Sequence, residues 1–108
     1  MDLHRLDLEV AIYRNRVQVT HRGTDTFVDQ RADFPFSSEE VLVAHPRQLE
    51  DALIRAIRQI LGEGGFALRH PIAHIVGAEG KLGPADRAMI ELALRETGMR
   101  EVVFELDE

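Results

Sequence analysis

Two apolar rhythms divide this chain, and the order in which they occur limits the folds open to it. From Leu6, the residues Leu6, Leu8, Val10 and Ile12 alternate with Asp7, Glu9, Ala11 and Tyr13, the period of a strand with one apolar face. After a polar break at Arg14-Asn15-Arg16 the alternation resumes with Val17 and Val19 against Gln18 and Thr20. The two runs read as a hairpin with Asn15 at a turn position that tolerates positive φ. From Pro46 the period lengthens: Leu49, Ala52, Leu53, Ala56, Ile57, Ile60 and Leu61 recur at three and four, as on one face of a helix.

Punctuation fills in the rest. Gly23, Thr24 and Asp25 supply turn chemistry, and Thr26 to Ala32 offers a third strand through Phe27 and Val28. Phe34-Pro35-Phe36-Ser37-Ser38 is a connection, because proline lacks the N–H that a central ladder requires. Val41 to Ala44 reads either as a small strand or as buried loop. Pro46 suits a first helical turn, and Gly62, Gly64 and Gly65 end that helix. Pro71 and the β-branched run Ile72 to Val76, bounded by Gly77, predict a buried strand. Gly83-Pro84 with Asp86 opens a second helix whose apolar face reads as Ala85, Ala88, Met89, Leu92 and Ala93, with Gly98 at its end. Glu101 to Leu106 is the last strand. The order is strand, strand, strand, helix, strand, helix, strand. An antiparallel meander followed by helical crossovers gives an α/β fold with one mixed five-stranded sheet.

At 108 residues the chain is read as a single α/β domain spanning 1–108. Hydrophobic residues at 44% and charged residues at 30% set it apart from disordered chains. A net charge of −6 gives no overall attraction to nucleic acid or an anionic membrane. Absence of cysteine excludes disulfides, thiolate metal sites and a thiol nucleophile, and agrees with a reducing compartment. Met1 to Arg5 leads into a strand pattern and not into a secretory apolar stretch, and no apolar run is long enough to insert into a membrane. These features predict a cytoplasmic protein.

The element order is that of the ribonuclease H-like fold, which also forms subdomain IA of the actin-like ATPases. The segment from Ala73-His74-Ile75-Val76-Gly77 through Lys81-Leu82-Gly83-Pro84-Ala85-Asp86-Arg87-Ala88, and on from Glu96-Thr97-Gly98-Met99-Arg100 to Glu101-Val102-Val103-Phe104-Glu105, resembles the strand, helix and strand of that subdomain in the bacterial MreB cell-shape family. The departures carry weight. Actin-like ATPases have an Asp-x-Gly-Thr phosphate loop at the first hairpin, whereas here the tip is Tyr13-Arg14-Asn15-Arg16, without glycine, and Asp7 lies well before the turn. Family members also continue into a second lobe, whereas this sequence stops at Asp107-Glu108. The resemblance therefore implies half of an actin-like fold without an ATPase site.

Other motifs add little chemistry. Gly62 to Gly65 follows a helix, so it reads as a terminator and not as a phosphate cradle. Gly77 to Gly83 lies between strand and helix, where Lys81 could meet an anion, but it lacks the Gly-Lys-Ser/Thr ending and reads as a crossover loop. Glu9, Glu50 and Glu79 stand roughly where a two-metal nuclease would need carboxylates, but among 19 acidic residues they read as solvated side chains. Of His4, His21, His45, His70 and His74, only the last two are close in sequence, and Pro71 between them disfavours a helical metal pair. Ser37 and Ser38 read as loop residues, and Arg14, Arg16, Arg22 and Arg31 as charges on the solvent side of the meander.

No catalytic, cofactor-binding or metal-ligating residue is assigned. The expectation is a non-catalytic assembly module of the MreB type that binds a protein partner or itself as a homo-oligomer, without a cofactor, nucleic acid or membrane insertion. A metal-dependent ribonuclease H-like nuclease or phosphoesterase is the alternative.

Overall fold

In a computed structural model, residues 4–106 are described, the side chain of His4 excepted. Met1 to Leu3, Asp107 and Glu108 lie outside the described residues. The strands are β1 (His4–Tyr13), β2 (Arg16–His21), β3 (Phe27–Arg31), β4 (Phe66–Ala78) and β5 (Glu101–Phe104). The helices are α1 (Pro46–Leu61), between β3 and β4, and α2 (Pro84–Glu96), between β4 and β5. They form one sheet in the order β3-β2-β1-β4-β5. The meander is antiparallel, with Val10 opposite Val19 and Val19 opposite Val28. The pairs β1–β4 and β4–β5 are parallel, placing Leu8 beside Ala73 and Ala73 beside Val102. The mixed α/β architecture expected from the two rhythms is the one found.

The alternation decides which face is covered. Leu6, Leu8, Val10 and Ile12 of β1, Val17 and Val19 of β2, and Ala73 and Ile75 of β4 are buried on one face. They share a single core with Leu49, Leu53, Ala56 and Ile60 of α1 and with Ile90, Ala93 and Leu94 of α2. Each large side chain so buried contributes about 1.5–3 kcal/mol relative to exposure. The helices touch each other, α1 covering β2 and β3 and α2 reaching β5. Asp7, Glu9, Ala11, Tyr13, Gln18, Thr20 and His74 point to the other face, which carries no helix among the described residues.

Two local readings differ from the structure, and one left open is decided. β4 starts at Phe66 and not at Pro71, because it contains a bulge: β1 moves from Arg5 to Asp7 while β4 moves from Ala67 to Ile72. His70 takes φ +56° within the bulge, and Pro71 sits where no ladder donor is required. Of the two readings of Val41 to Ala44, the structure has the buried loop: Leu42 and Val43 are buried, and the Phe36 carbonyl accepts the N–H groups of Ala44 (2.7 Å) and His45 (2.9 Å). On α2 the buried stripe is Ile90, Ala93 and Leu94, whereas Leu92 is 58% exposed and Ala85 and Ala88 face solvent. Alanine and leucine lie all round this helix, so two stripes fit the same spacing.

The turn residues behave as their chemistry requires. Asn15 has φ +57° at the hairpin tip. Gly98 follows α2 at φ +110°, a conformation that a side chain would strain.

Candidate functional site

The β1–β2 tip is held by side chains from two later parts of the chain. The Arg14 N–H donates to Glu79 Oε1 (3.3 Å), and its guanidinium pairs with Glu79 Oε2 (3.4 Å). The Asn15 N–H donates to Ser37 Oγ (3.2 Å), while the Ser37 N–H donates to Asn15 Oδ1 (2.9 Å). Ser37 Oγ–H in turn donates to the Leu42 carbonyl (2.5 Å), and the Arg14 guanidinium donates to the carbonyls of Ser38 and Glu39. Arg14, Asn15, Ser37, Ser38 and Glu39 line a shallow hollow of about 580 Å³. A phosphate would need free amides at such a tip. Here the amides of Arg14 and Asn15 already bond to side chains, and one of those is a carboxylate.

On the uncovered face lies a charge network that no sequence motif announced. His74, its side chain 13% exposed, stands between two carboxylates: Nε2 is 2.7 Å from Asp7 Oδ1 and Nδ1 is 2.7 Å from Glu105 Oε2. Arg22 bridges Glu9 Oε2 (2.9 Å) and Glu105 Oε1 (2.7 Å). Each ring nitrogen of His74 thus faces a carboxylate oxygen, one on β1 and one just beyond β5. Asp7 and Glu9 of β1 and Glu105 at the end of β5 are thus gathered around His74 of β4 and Arg22 of the β2–β3 turn. Both ring nitrogens of His74 are directed at carboxylates within the network and neither at open space.

The hydrogen bond from Arg22, and then that from His74, hold the Glu105 carboxyl below its ordinary value of 4.5. A group depressed on folding adds stability above its unfolded pKa and loses it as pH falls through the folded value. The stability advantage of wild type over Glu105→Gln is therefore expected to be fully present at neutral pH and to shrink as pH falls below 4.5, read from urea midpoints across that range. A constant difference would show that the contact does not form.

The remaining candidates are scattered. Glu9 belongs to the network, Glu79 to the hairpin tip, and Glu50 to a groove of about 630 Å³ between α1 and α2 on the opposite side of the sheet. Three ligands of a two-metal centre are thus not brought together, and among the described residues no group of three acidic or histidine side chains is arranged to hold a metal. His21 is 1% exposed: Nε2–H donates to the Arg5 carbonyl (2.8 Å) and Nδ1 accepts from the Thr24 N–H (3.1 Å). His70 lies 3.3 Å from Glu101, and His45 is exposed at the start of α1. The side chain of His4 lies outside the described residues. Arg16 pairs with Asp29 at 3.5 Å and rests over the Tyr13 ring, and Arg14 and Arg22 are also paired, while Arg31 is exposed at the end of β3. Lys81 is exposed in the loop before α2. Among the described residues no helix is long and apolar enough to cross a membrane.

No protein-family model matches the sequence, and no curated protein is significantly similar to it. Among solved structures, the fold is similar to that of MreB5 of Spiroplasma citri, crystallised with ADP: the TM-score is 0.64 at 9% sequence identity, over 92% of this chain and 37% of that one. The chain therefore shares an actin-like fold with a protein of which it spans just over a third.

Proposed function

We propose that this chain is a non-catalytic assembly module of the cytoplasm, related to the actin-like cell-shape proteins, which self-associates or docks onto an actin-like partner. One observation carries the reading: among the described residues the sheet has helices on a single face, leaving Tyr13, Ile72, Val76 and Val103 at the other surface among charged groups. Sheet faces and edges without a second layer are where protein partners add. The occupied amides at the Arg14–Asn15 tip favour this over nucleotide turnover.

Two measurements test it. Sedimentation velocity over a concentration series is expected to show reversible self-association, or complex formation with an added actin-like protein; failure of both removes the reading. Thermal unfolding with and without Mg²⁺-ATP is expected to be unchanged. A ligand at about 100 times its Kd adds about 2.7 kcal/mol, several degrees for a domain of this size. A rise of that order would restore a nucleotide site.

A further inference from the structure

We propose that β3 is the self-association surface: it pairs antiparallel with β3 of a second copy about a two-fold axis through Gln30, joining two five-stranded sheets into one of ten strands. The inference rests on the assembly reading above and gives it a location. No strand lies beyond β3 among the described residues.

The ladder determines which groups of β3 face outward. The backbone bonds from the His21 N–H to the Thr26 carbonyl (2.8 Å) and from the Ala32 N–H to the Asn15 carbonyl (2.9 Å) extend the β2–β3 register at both ends. Hydrogen-bonded pairs alternate with non-bonded ones along an antiparallel ladder. Val28 and Gln30 therefore bond inward to β2, while the N–H and C=O groups of Phe27, Asp29 and Arg31 are directed at the open edge. Those same three side chains are exposed, Phe27 at 55%.

Charge then selects the partner and the register. Asp29 and Arg31 are opposite in sign and two residues apart on one face. With the axis at Gln30, Asp29 of each copy stands opposite Arg31 of the other, giving two complementary pairs and placing outward backbone groups in bonding positions. An axis at Asp29 would oppose two aspartates, and one at Val28 would set Phe27 against Asp29. Only the register at Gln30 matches both charges. At the other edge, β5 carries Val102, Val103 and Phe104 between Glu101 and Glu105, with no opposite charges two residues apart like Asp29 and Arg31. Pairing has local costs: Asp29 already pairs with Arg16 (3.5 Å) and accepts from Gln18 Nε2 (3.4 Å), so its carboxylate must be shared with Arg31 of the second copy. The Gln30 side chain, which donates to the Arg31 carbonyl (2.8 Å) and accepts from Gln59 Nε2 (2.7 Å), must make room for Gln30 of that copy.

Charge reversal tests this with the intact chain. In sedimentation velocity, Asp29→Arg and Arg31→Asp, each alone, oppose like charges twice and are expected to weaken self-association at least about tenfold. An equimolar mixture of the two is expected to restore wild-type affinity as a heterodimer, because each then supplies what the other lacks. Both changes are at exposed positions, and unchanged thermal transitions will show that the variants are folded. If wild type self-associates but the reversals leave its affinity within twofold, β3 is not the interface although the assembly reading stands. A wild type that stays monomeric at its highest soluble concentration overturns this inference, and with it the self-association half of that reading.

Discussion

Replacing Phe36 with alanine is expected to lower the stability by about 3–5 kcal/mol, among the largest losses any single side chain here can cause. Phe36 has no exposed surface although it lies in the connection between β3 and α1. Its ring enters the same core as Leu42, Val43 and Leu49, so truncation leaves a cavity under a loop that the helices cannot close. Its backbone bonds to Ala44 and His45 would remain. The change would thus be seen as a lower urea midpoint with an unaltered slope. Because Ser37, the next residue, holds the hairpin tip through Asn15, Phe36→Ala should also speed amide exchange at Asn15. A loss below about 1 kcal/mol would mean that the ring does not occupy the core.

Alanine at Ile90 is expected to cost about 2–5 kcal/mol, and alanine at Leu92 less than about 0.5 kcal/mol. The two side chains are two positions apart on α2 and similar in size, but Ile90 is wholly buried and Leu92 is 58% exposed. Thermal midpoints of the two variants would therefore differ by many degrees. The opposite ranking would rotate α2 by about half a turn and restore the stripe through Ala88 and Leu92.

That contrast shows what the sequence could and could not convey. Strands β1 and β2 were legible because strict alternation admits one face only, and α1 because its buried residues all fall in one stripe with Arg55, Arg58 and Gln59 outside it. α2 was not, since its alanines satisfy more than one stripe. The bulge in β4 was hidden because Leu68, Arg69 and His70 carry no turn signal; only the pairing with β1 makes them surplus. The hairpin tip was readable as lacking a phosphate loop, since glycine is visibly missing. Its lock by Glu79 and Ser37 was not, because those residues come from distant segments. The network around His74 was likewise invisible: Asp7 and His74 are 67 positions apart and are joined only by the parallel pairing of β1 with β4. Parallel neighbours leave no local spacing to read.

The central position of β1 also sets a timetable for synthesis. β1 leaves the ribosome first and can zip with β2 and β3 at once, but its other edge must wait for β4, as Arg14 waits 65 residues for Glu79. At about 5–20 residues per second that wait is roughly 3–13 s. Until α1 emerges the apolar face of the three-stranded meander is bare, and until β4 emerges its inner edge is unpaired, a target for chaperones or for an identical neighbour on the same message. Slow codons between α1 and β4 would prolong that exposure, and a faster stretch there would shorten it.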